Sequence, residues 1–215
     1  MSPAGPFTVK GLSCVRGDKI LFAGLSFELG AGEALHIRGP NGLGKTTLLR
    51  ALCGLSRPTR GDIRWGGIKV SDLAEEYTAD VAYVGHLNGV QGELTASENL
   101  KMADRIFGRG VRVASGVKDA LARVGLTGLS DRPARYLSQG QKRRLALARL
   151  LVLRRPFWIL DEPFTALDAA SVLRLSSLIG EHTSAGGLAL IVSHQAFDLP
   201  GVRDFELARF CKVRA

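Results

Sequence analysis

The chain has 215 residues, 46% hydrophobic and 23% charged, a length that suits one large domain or a core with a smaller inserted unit. That composition excludes a disordered chain, a collagen-like repeat and a small disulfide-stapled scaffold. Its 29 Lys and Arg against 20 Asp and Glu leave a formal charge of +9, which suits nucleotide, nucleic acid or an anionic membrane face equally and selects none of them.

The cysteines Cys14, Cys53 and Cys211 lie far apart with no Cys-x-x-Cys pair, and their odd number fits reduced thiols in a reducing compartment. No apolar run reaches the roughly 18 to 20 residues needed to cross a bilayer. The start, Met1-Ser2-Pro3-Ala4-Gly5-Pro6, lacks the basic and apolar stretches of a signal peptide. The expectation is a cytosolic chain that meets a membrane only through a partner.

From Phe7 to Leu29 short runs rich in β-branched and aromatic residues, Phe7–Lys10, Ile20–Phe22 and Leu25–Leu29, are separated by Gly-containing segments and read as antiparallel strands joined by turns. Ala34–Arg38 is a short strand that runs into Gly39-Pro40-Asn41-Gly42-Leu43-Gly44, after which a helix from Lys45 to Cys53 stops at Gly54. Between Val84 and Pro156 the pattern becomes helical, which predicts a helical unit inserted into an α/β core. Phe157–Leu160 and Leu188–Ser193 are apolar throughout, as expected of parallel strands covered on both faces. There is no internal repeat and no low-complexity tract.

Gly39 to Thr46 fits G-x-x-x-x-G-K-[ST] at every fixed position, between a strand and a helix. In such a loop backbone N–H groups cradle phosphate oxygens at a helix N-terminus, the lysine (Lys45) reaches the β- and γ-phosphates, and the hydroxyl of Thr46 binds Mg²⁺. Thr47 follows in the first helical turn. Asp161 and Glu162 end a buried strand, where open α/β sheets hold ligands. Asp161 is read as the Mg²⁺ residue and Glu162 as the group that orients and deprotonates the attacking water. Leu137-Ser138-Gln139-Gly140-Gln141 opens an Arg-rich apolar helix and offers a hydroxyl and free N–H groups to an anion, although by itself it is equally an ordinary helix cap. Arg143, Arg144, Arg154 and Arg155 are read as a solvated helix face in preference to a surface for a permease or anionic lipid.

Phosphate loop, Leu-Ser-x-Gly-Gln, Asp161-Glu162-Pro163, Ala166-Leu167-Asp168 and His194, in that order, resemble the ATP-binding cassette family across almost the whole chain. The resemblance implies an α/β fold, a P-loop NTPase nucleotide-binding domain with a RecA-like mixed-sheet core and antiparallel β subdomain (residues 1–85 and 156–215) and a helical subdomain (residues 86–155). It also implies a head-to-tail homodimer that buries two ATP molecules. Ser138, Gly140 and Gln141 of one copy would close over the γ-phosphate held by the other, His194 would touch that phosphate, and Asp168 would link the two sites.

Two positions depart from the family pattern. Counting back from Glu98-Asn99, the metal-sensing glutamine is replaced by His86, whose imidazole can take the same contact to water-coordinated Mg²⁺, while Gln91 is out of register. The adenine-stacking aromatic is replaced by Arg16, a guanidinium that can stack on a purine but is equally read as a solvated turn residue.

Tyr83-Val84-Gly85-His86 and the Gly92–Leu100 run, with the single compact cassette, resemble the cytochrome c maturation branch of the family, the ATPases of haem-exporter complexes. That implies ATP and Mg²⁺ as cofactors and integral-membrane permease subunits as partners, at the cytoplasmic face of a bacterial inner membrane. It also implies that ATP hydrolysis drives release of a haem-loaded chaperone. No nucleic acid is expected, and without Cys-x-x-Cys-His no direct haem binding. An ATPase for another cargo and a module gated by nucleotide binding alone remain as alternatives.

Overall fold

A computed structural model describes residues 5–108 and 114–211. In chain order the strands and helices are β1 (Phe7–Arg16), β2 (Lys19–Leu29), β3 (Ala34–Arg38), α1 (Lys45–Leu52), β4 (Arg60–Trp65), β5 (Ile68–Lys69), α2 (Val70–Leu73), α3 (Glu75–Asp80), β6 (Val81–Val84), α4 (Ala96–Phe107), α5 (Ala114–Arg123), α6 (Gln139–Leu153), β7 (Phe157–Asp161), α7 (Ala169–Ser184), β8 (Leu188–Val192) and β9 (Arg203–Glu206).

The N-terminal runs form two long strands where the sequence suggested three pieces. Gly24 is not a turn but a bulge inside β2: it takes φ +72°, the β1–β2 register shifts beside it, and its N–H is taken by Ser13 Oγ at 3.1 Å. Gly11 bulges β1 in the same way, donating to Ser26 Oγ at 2.9 Å. The serines replace ladder bonds that the bulges remove, so the ribbon bends with both glycine N–H groups still paired. With β4 and β5 these strands make an antiparallel sheet in the order β2-β1-β4-β5.

The second sheet, ordered β6-β7-β8-β3-β9, is parallel throughout. Its side chains alternate between two cores with the strand period. Phe157, Ile159, Leu188, Leu190 and Val192 face the antiparallel sheet and α1, whereas Trp158, Leu160, Ala189 and Ile191 face α6 and α7. Antiparallel and parallel sheets together give the mixed α/β architecture that the sequence predicts. The first core carries an aromatic cluster in which Phe157 lies 4.7 Å from Phe7 and stacks on Trp65 at 5.6 Å.

A third core joins α4, α5 and α6 around Leu100, Leu121, Leu126 and Leu145. Helix α6 serves two cores at once, with Leu145 and Ala148 in this cluster and Ala146, Leu147 and Leu150 against the parallel sheet. That two-sided burial explains the nearly unbroken apolar run from Leu145 to Leu153, broken only by Arg149. The helix α1 ends in a Schellman turn at Gly54 (φ +74°), where Leu55 N–H donates to Arg50 O and Gly54 N–H to Ala51 O. The three cysteines are free thiols, with Cys14 and Cys53 buried.

The expected solvated arginine face is not there. Arg143 and Arg155 are buried, and Arg144 is half-buried, donating to the carbonyls of Val124 and Gly125. Of the four only Arg154 is exposed. Helical period accounts for Arg143: residues 146, 147 and 150, on the same face, are all buried.

Candidate nucleotide-hydrolysis site

In sheet order β6, β7, β8 and β3 are neighbours, and each delivers a predicted residue just beyond its C-terminal end. These are His86 after β6, Asp161 and Glu162 at β7, His194 after β8, and the phosphate loop after β3. Four segments scattered over the chain thus stand side by side where parallel sheets bind ligands.

The phosphate loop turns on glycines in conformations that side chains disfavour, Gly42 at φ +83° and Gly44 at φ +90°. Gly44 caps α1 without a side-chain bond, so the first N–H groups of the helix keep their hydrogen-bonding capacity for an anion. Lys45 is buried and its ammonium spans the loop, donating to Gly39 O at 2.6 Å, Pro40 O at 3.3 Å and Asn41 Oδ1 at 3.3 Å. Leu43 is half-buried beneath the loop, and the Thr46 hydroxyl-bearing side chain is exposed beside half-buried Thr47. Arg16 is exposed at the tip of the β1–β2 hairpin, opposite Lys19. The hairpin reaches the loop through Leu21, which packs on Gly44. Val15 and Ile20, paired across the hairpin beside Arg16, are also exposed.

Glu162 takes a left-handed backbone, φ +49°, a strain of roughly 1–3 kcal/mol for a residue with a side chain. Its Oε2 accepts from His194 Nδ1 at 2.8 Å and from the His194 N–H at 3.2 Å, so the two predicted residues form one unit. Asp161 is buried, and burial together with the neighbouring Glu162 raises its pKa above the usual carboxylate value, while His86 and Arg143 oppose the rise. The Tyr83 hydroxyl beside it is pushed up to about 12 by burial first and by Asp161 next.

At the start of α6 Ser138 Oγ accepts from Gln141 N–H at 3.2 Å and Gln141 Oε1 accepts from Ser138 N–H at 2.9 Å, a reciprocal capping box. Gly140 lies so close to the turn before α7 that a Cβ there would come within 2.7 Å of Ala166 O. Asp168 caps α7 by accepting from Ser171 N–H at 2.8 Å.

Two residues at the site escaped the sequence reading. His36 is buried in β3, with Nε2 3.1 Å from Ser193 O, next to His194, and Nδ1 3.0 Å from Asp204. Its place between Leu35 and Ile37 in an apolar strand was the available signal. Arg143 gathers the turns after β6 and β7, and the helical period of α6 was its signal.

The family model for ABC transporters matches residues 22–165. Cytochrome c biogenesis ATP-binding export proteins CcmA from Methylococcus capsulatus and Dechloromonas aromatica are 47% and 48% identical to this chain. Each match covers 91% of the chain, and 94% and 97% of the respective relative. The chain belongs to the ABC transporter family, among the cytochrome c biogenesis ATP-binding export proteins. A solved ATP-binding subunit of an ABC transporter superposes on this cassette with TM-score 0.79 and 26% identity, covering 96% of this chain and 83% of that one.

The cassette's residues fit the divalent cation that the family implies. Asp161 Oδ2 is buried with no hydrogen-bond partner among the described residues, and hydroxyl and carboxylate oxygens are the ligands Mg²⁺ prefers. Among the described residues no cluster of three or more His, Cys, Asp or Glu could hold a metal. An ion sharing one or two protein ligands with phosphates and waters needs none. His86 is exposed and opposes the rise of the Asp161 pKa electrostatically. We expect His86→Gln to keep phosphate release within about threefold and His86→Ala to lower it about tenfold, the value of one lost hydrogen bond of about 1.4 kcal/mol. An alanine variant with full activity removes His86 from the site.

Proposed function

We propose that the cassette is the Mg²⁺-dependent ATP-hydrolysing subunit of a cytochrome c biogenesis export complex. In this reading it works as a head-to-tail homodimer on integral-membrane subunits at the cytoplasmic face of a bacterial inner membrane. The observation that carries the chemistry is the Glu162–His194 unit, 2.8 Å apart, in the sheet position next to the phosphate loop. Thr46 and Asp161 would hold Mg²⁺, which with Lys45 would supply positive charge to the triphosphate; Glu162 would orient the water, and His194 would contact the γ-phosphate. The donors of Ser138 and Gly140 complete the charge stabilisation from the second copy.

The names of the relatives support the export system, and cargo selection then resides in the membrane subunits. Among the described residues no helix is long and apolar enough to cross a membrane, which suits a peripheral subunit. Residues 86–155 would form the arm that meets the permease. An open groove of about 900 Å³ supports that assignment: it runs between β6 and the ends of α4 and α6, with Ile106 and Phe107 exposed on its wall.

The test is to solubilise membranes in which the full chain is co-expressed with the biogenesis membrane subunits. Integral-membrane subunits should co-purify with it, and the complex should release phosphate from ATP and stop on chelation of Mg²⁺. A complex that forms but never turns ATP over would overturn the reading in favour of a binding-gated module.

A further inference from the structure

We infer that Arg143 is a positioning residue for hydrolysis: from the first turns of α6 it clamps the backbone that carries Glu162, so that engagement of Ser138 and Gly140 with a γ-phosphate is transmitted to the carboxylate orienting the water. The inference rests on the ATPase reading above and assigns to that site a residue whose five N–H donors all go to protein oxygens.

The guanidinium is buried and all five of its N–H donors are used. Nε donates to Pro163 O at 3.2 Å, and Nη2 donates to Asp161 O and Glu162 O, both at 2.8 Å. Nη1 donates to Gly85 O at 2.8 Å and Asn88 Oδ1 at 3.2 Å. Three successive carbonyls therefore converge on one planar cation. An extended strand would point them alternately to opposite sides; the left-handed turn at Glu162 brings them together. The clamp and the unusual backbone are the same feature. The remaining contacts fix the turn from Gly85 to Asn88, which bears His86.

Helix α6 grips the segment at two points. Gly140 rests against Ala166 O, and one turn further on Arg143 holds Asp161, Glu162 and Pro163. The first turn of α6 thus brackets the whole span from the metal carboxylate to the approach to Asp168. A buried charge is a weak device for stability alone, since well-packed apolar groups commonly do as well. A rigid five-donor fork is a strong device for fixing three backbone segments relative to one another. Lysine, a point charge on a flexible stem, cannot reproduce that fork.

The test compares the purified full chain with its Arg143→Gln, Arg143→Lys, Asn88→Ala and Glu162→Gln variants in steady-state ATP hydrolysis. Thermal unfolding establishes that each variant is folded. Arg143→Gln and Arg143→Lys are expected to lower kcat by about ten- to a hundredfold, the range for a displaced catalytic group, while KM for ATP stays within about threefold. Asn88→Ala removes a single acceptor of the fork. It should lower kcat by about threefold with KM unchanged, and it decides the matter if the Arg143 variants do not fold. Wild-type kcat in a folded Arg143→Lys variant, or in Asn88→Ala when the arginine variants fail to fold, would overturn the inference, as would a loss confined to KM. If Glu162→Gln is inactive while the Arg143 variants behave as wild type, only the clamp is lost. If Glu162→Gln itself hydrolyses ATP normally, the ATPase assignment of that residue fails instead.

Discussion

Replacing Glu162 with Gln is expected to lower ATP turnover by about 10²- to 10⁴-fold, the usual contribution of a general base, with ATP binding unchanged. Glutamine has nearly the same shape, and its carbonyl oxygen can still accept from the His194 N–H and from Nδ1, the contacts made at 3.2 and 2.8 Å. The difference is chemical: an amide cannot take a proton from water. Nucleotide would therefore be bound and the dimer closed, with no route onward. Gel filtration with ATP should show a persistent dimer, and a phosphate-release assay should show almost no product. A variant that turns over within tenfold of wild type would remove Glu162 from the reaction.

Lys45→Ala acts one step earlier, on binding. The buried ammonium spans Gly39, Pro40 and Asn41, so its removal takes away a positive charge for the phosphates and also the tie that holds the loop in shape. Charge-assisted hydrogen bonds contribute about 1.5–3 kcal/mol each. Loss of two weakens ATP binding by roughly 10²-fold or more, and hydrolysis falls below detection at ordinary ATP concentrations. Titration with a fluorescent ATP analogue measures the first effect. Unchanged affinity would mean that the loop does not bind triphosphate through this residue.

Much of the molecule could be read from its residues because the informative segments carry their own geometry. The phosphate loop announces itself through glycine spacing between a strand and a helix, and the parallel strands through unbroken apolar runs covered on both faces. Short edge elements gave no such signal: β9, Arg203–Glu206, alternates no apolar pattern, and its place beside β3 is set by pairing together with contacts from distant residues, Asp204 to His36 and Arg38 and Phe205 to Phe27. Gly24 misled because a glycine in a strand-rich region marks a turn or a bulge with equal ease, and only the partner strand decides which. Arg143 was hidden for a different reason. A charged side chain is assigned to solvent by default, and the carbonyls that draw it inward belong to turns 18 to 20 residues further along and 58 back. His36 likewise reads as strand filler until Ser193 and Asp204 are brought beside it.

Ser138 illustrates why a helix start can be chosen for something other than the helix. Asparagine or aspartate would cap α6 about as well as serine does, so helix stability leaves the choice nearly open. In the capping box one lone pair of Oγ is taken by the Gln141 N–H, which leaves the hydroxyl proton free to be donated elsewhere. Aspartate in the same place would hold the helix equally firmly and present a negative oxygen outward, repelling any phosphate brought to it. The bond that secures the helix therefore leaves serine with a proton to give.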